Sequence, residues 1–488
     1  MYAILKNILK HSAAYSIGTV LNRAVGLLLL PLYTRYLTKA DYGVLELLLV
    51  TSSIIGVILQ LGMGSALFRT ILYKENVDTR KAISTAFFAL AGFAVLSIGI
   101  LSLTADRLAS LLMIGQDGGR LLRMLFVGNF FLLLTAIPMT VLRIKQRSLT
   151  FSAIAGGQFI FGLILNVLFL VVFKKGTMGI LTANAIAAAI SCLLYLLCIR
   201  NSIDWSFSLD ELKDMLGFGL PLVPSAIAEL ALMMSDRYFI NSYRGVEEVA
   251  MYSVALRLAT VIAMAVSAFQ MAWPAILFPL AKEADGPRIF SRLFNFYLFF
   301  LVTLMLGMSV FKYELFTLFA PREFATGASA FTLIMISFIF YGVYYFTSVG
   351  IQVKKKTLYF PLVLAIAAGL GIALNFLLIP GQGLMGAGYA RAVSFAAMAV
   401  GIAVISERYY AIPYNYSRIV KLVAVAGFIL LLNHWINFSS LFLTIAARFF
   451  ILFLFPVLLY LWGFFETGTL LFVKQKLSAF TSAQHAES

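Results

Sequence analysis

The sequence is short of charge. Asp, Glu, Lys and Arg make up 12% of its 488 residues, about half the share usual in soluble domains. A soluble chain of this length would split into roughly three domains, each needing a charged surface. A soluble enzyme is therefore excluded, and the 62% hydrophobic content excludes a disordered chain. Cysteine is nearly absent: Cys192 and Cys198 lie six positions apart, about 600° around a helix, and point to different faces. That excludes a disulfide scaffold. The three histidines, His11, His434 and His485, match no metal-ligand spacing. No Gly-Lys-Ser/Thr phosphate loop occurs, so ATP hydrolysis by this chain is not expected. No cofactor, metal site or catalytic cluster is predicted, and the chain is not expected to be an enzyme.

What is present is a series of long apolar runs. About 20 apolar residues cross a bilayer as a helix, and the chain offers fourteen such stretches. They lie near 12–34, 43–66, 83–103, 121–142, 153–173, 178–199, 216–240, 249–272, 291–311, 327–349, 358–379, 384–406, 418–436 and 441–464. The fold class is thus an all-α polytopic membrane protein. The net charge of +16 follows the positive-inside rule, not a nucleic-acid partner. Loop residues such as Lys6, Lys10, Arg69, Lys74, Arg80, Lys81, Arg143, Lys145 and the run Lys354-Lys355-Lys356 share one side. That side holds roughly twice the basic residues of the other and is expected to be cytoplasmic, with both termini.

The chain also repeats itself. Leu142-Arg-Ile-Lys-Gln-Arg-Ser-Leu-Thr-Phe151 matches Ile351-Gln-Val-Lys-Lys-Lys-Thr-Leu-Tyr-Phe360 at an offset of 209 residues. Leu165-Asn166 then matches Leu374-Asn375, and Met178-Gly179 matches Met385-Gly386. Each unit holds an even number of spans, so the two copies enter the membrane in the same sense, as parallel repeats do in many secondary transporters. The expected organisation is a lobe over 1–209 (spans 1–6), a second over 210–410 (spans 7–12), and residues 411–488 with two further spans.

Eight ionisable residues fall inside spans: Arg23, Glu46, Glu229, Asp236, Arg237, Arg257, Arg391 and Arg448. Each costs about 2.5–3.5 kcal/mol at mid-membrane unless paired or hydrated. Helical spacing gathers several of them into polar stripes. Span 1 carries Thr19, Asn22 and Gly26 with Arg23 adjoining, and span 2 carries Glu46, Ser53, Gln60 and Gly64. Span 7 carries Ser225, Glu229 and Asp236, and span 8 carries Ser253, Arg257, Thr260 and Ser267. Spans 1, 2, 7 and 8 are therefore expected to line a central cavity. Arg23 and Arg257, with Asn22 and Arg391, are the candidate substrate-binding groups, because arginine grips phosphate or carboxylate with two parallel hydrogen bonds. Glu46, Glu229 and Asp236 are candidates for ion coupling or charge balance. The alternative is simple pairing, Arg23 with Glu46 and Arg257 with Glu229. Gly381-Gln-Gly-Leu-Met-Gly386 has dinucleotide-like glycine spacing, but no strand precedes it and a tight turn is expected.

Two stretches carry a resemblance. One runs from Arg23 through Pro31-Leu-Tyr-Thr-Arg-Tyr-Leu-Thr-Lys-Ala-Asp-Tyr-Gly43. The other is Ser235-Asp-Arg-Tyr-Phe-Ile240 with Gly245-Val-Glu-Glu-Val-Ala-Met-Tyr-Ser-Val-Ala-Leu-Arg257. Both resemble polysaccharide-biosynthesis flippases of the Wzx type, in the multidrug/oligosaccharidyl-lipid/polysaccharide exporter superfamily. The resemblance implies a flippase in the bacterial cytoplasmic membrane, moving undecaprenyl-diphosphate-linked oligosaccharide between leaflets for O-antigen, capsule or exopolysaccharide export. It implies membrane lipid, a polysaccharide polymerase or glycosyltransferases, and a proton or sodium coupling ion as partners. By similarity to the lipid II flippase, Arg23 and Arg257 would line the cavity and spans 13 and 14 would take the lipid tail. The alternatives are a lipid II flippase, a cation-coupled drug or metabolite exporter, and a non-transporting scaffold for a polysaccharide synthesis complex.

Overall fold

The computed structural model describes residues 26–74, 77–436, 438 and 440–465. Arg23, Asn22 and most of the first expected span lie outside the described residues. Every regular element among the described residues is helical. The first half contains α1 (Leu30–Tyr36), α2 (Lys39–Gln60), α3 (Met63–Tyr73), α4 (Thr79–Leu103), α5 (Ala105–Leu111), α6 (Gly118–Ile144), α7 (Ser148–Val167) and α8 (Gly176–Ile199). The second contains α9 (Leu209–Gly219), α10 (Val223–Arg244), α11 (Val246–Leu280), α12 (Gly286–Val310), α13 (Lys312–Phe319), α14 (Ala328–Thr347), α15 (Val349–Val353) and α16 (Tyr359–Glu407). Helices α17 (Tyr416–Trp435) and α18 (Leu441–Leu461) follow.

Polar residues set where the helices begin. Thr38 accepts a hydrogen bond from the Asp41 amide, Asp78 from those of Arg80 and Lys81, Ser208 from Glu211 and Asn415 from Arg418. Each satisfies amide groups left open in a first helical turn. Between these caps, twelve helical segments are long and apolar enough to cross a membrane. One of them is two spans. α16 has 49 residues with Gly383 at φ 54°, ψ −129° inside it. At 1.5 Å per residue it would be far longer than a bilayer core of about 30 Å. Gly383 breaks it between the expected spans 358–379 and 384–406, and the expected turn at Gly381–Gly386 is there. Arg244 closes the break, donating from Nη2 to the Pro380 carbonyl at 2.9 Å. With the expected first span added, the count reaches fourteen. The protein is a multi-pass helical membrane protein.

Two expected continuous spans are broken near the same membrane face. Leu61 (φ 52°) and Gly62 (φ 65°) interrupt span 2 between α2 and α3. Span 7 is interrupted by a 3₁₀ turn over Leu220–Leu222, with Pro221 and Pro224 at the starts of its pieces. A proline there removes no intrahelical bond. The two breaks touch: a Cβ on Gly62 would overlap the Gly219 backbone, and one on Gly219 would overlap that of Leu61 and Gly62. Backbone meets backbone, and only glycine permits it.

The halves also meet near the other face. Lys39 pairs with Glu247 at 3.5 Å, Asn241 donates to the Leu112 carbonyl at 2.7 Å, and Thr34 donates to the Phe319 carbonyl at 3.1 Å. Tyr42 packs edge-on against Phe324.

Candidate functional site

The centre of the molecule is an ion pair between the halves. Arg257 on α11 donates from Nε and Nη2 to one oxygen of Glu46 on α2, at 2.8 and 2.5 Å. Glu46 is 3% exposed, whereas the Arg257 side chain keeps 21% of its surface open. Both donors converge on Glu46 Oε1, so the guanidinium's flat fork is only partly used. Its Nη1 lies against Gly26, where any Cβ would collide with it. Gly26, the first described residue of the expected first span, therefore sits directly beside this guanidinium. Nearby, Thr51 and Tyr238 share a hydrogen bond of 2.8 Å, again joining the halves.

Arg257 and Thr260 form part of the wall of a cavity of about 680 Å³. The other walls differ from the stripe-based expectation. Spans 1 and 2 contribute Gly26, Tyr33 and Ser52, but most of the lining comes from α6, α7 and α8, and span 7 contributes none. Its polar groups include amides set singly in apolar runs, Asn129, Asn166 and Asn184. Tyr33 donates to Asn166 Oδ1 at 3.1 Å, Asn166 donates to Asn184 Oδ1 at 3.1 Å, and Ser52 donates to Asn129 Oδ1 at 2.5 Å. Asn129 Nδ2 is buried without a partner. Isolated amides escape a search for charge, although Asn166 was visible as a member of the internal repeat.

The other expected residues separate. Arg391 and Asp236 are not at this cavity. They form a second ion pair, 3.1 Å between Nη1 and Oδ2, with side chains 3% and 4% exposed. Arg391 also donates to Ser337 Oγ at 3.0 Å and to the Met233 carbonyl at 2.9 Å, and it stacks over Phe338 and Phe395. Tyr252 donates to Asp236 at 2.8 Å. The knot ties α10, α11, α14 and α16 together, and every charge in it is answered, as a buried pair requires. Glu229 stands exposed seven residues before Asp236 and makes no ion pair among the described residues. Arg448 pairs with Glu314, joining α18 to α13. The simple-pairing alternative thus has the wrong partner for Arg257: Glu46, not Glu229. Arg237 was seen in the sequence as a span charge but not as a site residue. Its Nε and Nη1 are buried without hydrogen-bond partners.

The net arrangement is a guanidinium with about a fifth of its side chain open, at the edge of the cavity, held by a buried carboxylate. Among the described residues, no group of three or more His, Cys, Asp or Glu could hold a metal ion.

The comparisons agree with this architecture. The fold is similar to that of the lipid II flippase MurJ in an inward closed conformation. The sequences are 15% identical, with a TM-score of 0.71 and coverage of 91% of this chain and 98% of that one. An inward-facing multidrug resistance MATE family transporter of the MOP superfamily gives 15% identity and a TM-score of 0.62, covering 80% and 94%. A variant of the Vibrio cholerae MATE transporter VcmN gives 15% identity and a TM-score of 0.60, covering 83% and 97%. No curated protein matches the sequence. A family model described as polysaccharide biosynthesis protein matches residues 32–325. With that match over more than half its length, the chain belongs to the polysaccharide biosynthesis protein family.

Proposed function

We propose that this chain is an alternating-access flippase that moves undecaprenyl-diphosphate-linked oligosaccharide from the inner to the outer leaflet of the bacterial cytoplasmic membrane. The observation that carries the reading is Arg257, a guanidinium held by Glu46 across the two halves at the wall of the cavity. A diphosphate would displace Glu46 and take both arms of the fork. Sugars would meet the amides of Asn129, Asn166 and Asn184, which can donate and accept. Arg23, Asn22 and the unpartnered Arg237 would add to the basic side. Asp236 and Arg391 would hold the second lobe rigid. Glu229, open and unpaired, is the better candidate for carrying a coupling ion.

The lobes are taken as 1–209 and 210–410, both termini as cytoplasmic. The lobe division is supported by the repeated asparagines, each of which bonds the opening span of its own half: Asn166 accepts from Tyr33, and Asn375 donates to Ser235 at 3.3 Å. The lipid tail would fit an apolar cavity of about 490 Å³ between α12, α14, α16 and α17. A second reading, a cation-coupled drug exporter, draws on the MATE folds above, but a partly open arginine at the cavity wall disfavours a cationic substrate. Replacing Arg257 by Ala should abolish glycan export at unchanged protein level, without altering drug susceptibility. Normal export from that variant would sink the assignment.

A further inference from the structure

The break at Leu61–Gly62 opens a second chamber. It has a volume of about 730 Å³ and is lined by the end of span 2, by the last turns of α6 and by Phe218 of α9. Leu132, Thr135 and Met139 line both this chamber and the central cavity. The two cavities therefore adjoin along α6, the inner one walled by Arg257 and the second one lying toward the end of α6.

Two arginines stand in the outer chamber: Arg69 on α3 and Arg143 at the end of α6. Neither has a carboxylate partner among the described residues. Both are held in place by aromatic rings instead. The Arg69 guanidinium lies 4.7 Å from the centroid of Phe218, and that of Arg143 lies 5.1 Å from the centroid of Phe151. Stacking covers a face of each guanidinium and leaves its edge, where the N–H donors are, able to meet an anion. The lysines of this face differ: Lys74 is engaged with Asp214 at 3.3 Å, and Lys145 donates to Ser202. Arg69 and Arg143 were counted in the sequence only as loop charges that orient the chain. Orientation needs charge alone, and it calls for neither a shared chamber nor aromatic positioning.

We propose that Arg69 and Arg143 form a second lipid-phosphate site, a staging post in which a phosphate-bearing lipid headgroup waits before passing along α6 to Arg257. The inference rests on the flippase reading for its direction, but not for the site itself. The shared chemistry is a phosphate or diphosphate on a lipid. Its source is either the transported polyprenyl lipid or a bulk anionic phospholipid.

The test is native mass spectrometry of the full-length protein in detergent, titrated with a short-chain polyprenyl diphosphate or with phosphatidylglycerol. The wild type should hold two diphosphate lipids. Arg257→Ala should lose one and keep the other. The double variant Arg69→Gln/Arg143→Gln should lose that other, with affinity lower by about tenfold. Arg69→Lys/Arg143→Lys, which keeps charge but not the fork, should recover part of it. If phosphatidylglycerol fills the second site as tightly as the diphosphate, the source is bulk lipid. If only the diphosphate fills it, the source is the substrate. If both double variants keep two lipids at wild-type affinity, the proposal is overturned. If the Gln variant loses one lipid while Arg257→Ala loses none, the outer site stands and the central assignment falls.

Discussion

Glu46 and Asp236 are both carboxylates buried beside an arginine, and their settings make opposite demands. Arg257 leaves Glu46 free to be replaced, because a fifth of the arginine's side chain is open and its fork is half used. Glu46→Gln should therefore weaken the hold on Arg257 and tighten diphosphate binding several-fold. It should slow transport, since the released state loses its internal anion. Binding and export measured on the same variant would check this, and weaker binding would contradict it. Asp236 has no such freedom. Removing it alone should cost about 3–5 kcal/mol by stranding Arg391, whereas Asp236→Leu with Arg391→Met, which strands no charge but leaves the Tyr252 hydroxyl without its acceptor, should cost less. Thermal unfolding of the purified variants distinguishes the two. If Asp236→Ala unfolds at the wild-type temperature, the knot is not structural.

Among the elements, the glycine breaks matter most, and the sequence revealed them unequally. The turn at Gly381–Gly386 was legible because Pro380 and three glycines interrupt an apolar run that is too long for one crossing. At Gly383, φ 54° with ψ −129° suits only a residue without a side chain. Gly383→Ala should cost about 1–3 kcal/mol of backbone strain, read as a lower unfolding temperature, and an unchanged temperature would refute it. The break at Leu61–Gly62 was not legible. Gly56, Gly62 and Gly64 inside a hydrophobic run do not say which of them breaks it, and the break at Leu61–Gly62 is packed against Gly219, which lies far along the chain. The same limit explains the partner of Arg257. Periodicity tells which residues share one helix face, but not which helices become neighbours. The spans themselves were clear because membrane helices must satisfy their own backbones, so length and hydropathy suffice.

At the scale of the whole molecule, the charges inside the membrane connect distant parts of the sequence. Glu46 waits 211 residues for Arg257, and Asp236 waits 155 for Arg391. At about 5–20 residues per second of synthesis, the first interval lasts on the order of 10–40 s. Throughout it, span 2 carries an unanswered carboxylate that costs about 2.5–3.5 kcal/mol if it is held at mid-membrane. Assembly is therefore governed by timing as well as by packing. An early helix has to stay near the insertion machinery, or keep its acid hydrated, until its partner is made. Ribosomes stalled before residue 257 should expose Glu46 to water-soluble carboxyl reagents. Ribosomes stalled some 60 residues later, with span 8 inserted, should not. Equal labelling at both stall points would show that the pair plays no part in biogenesis.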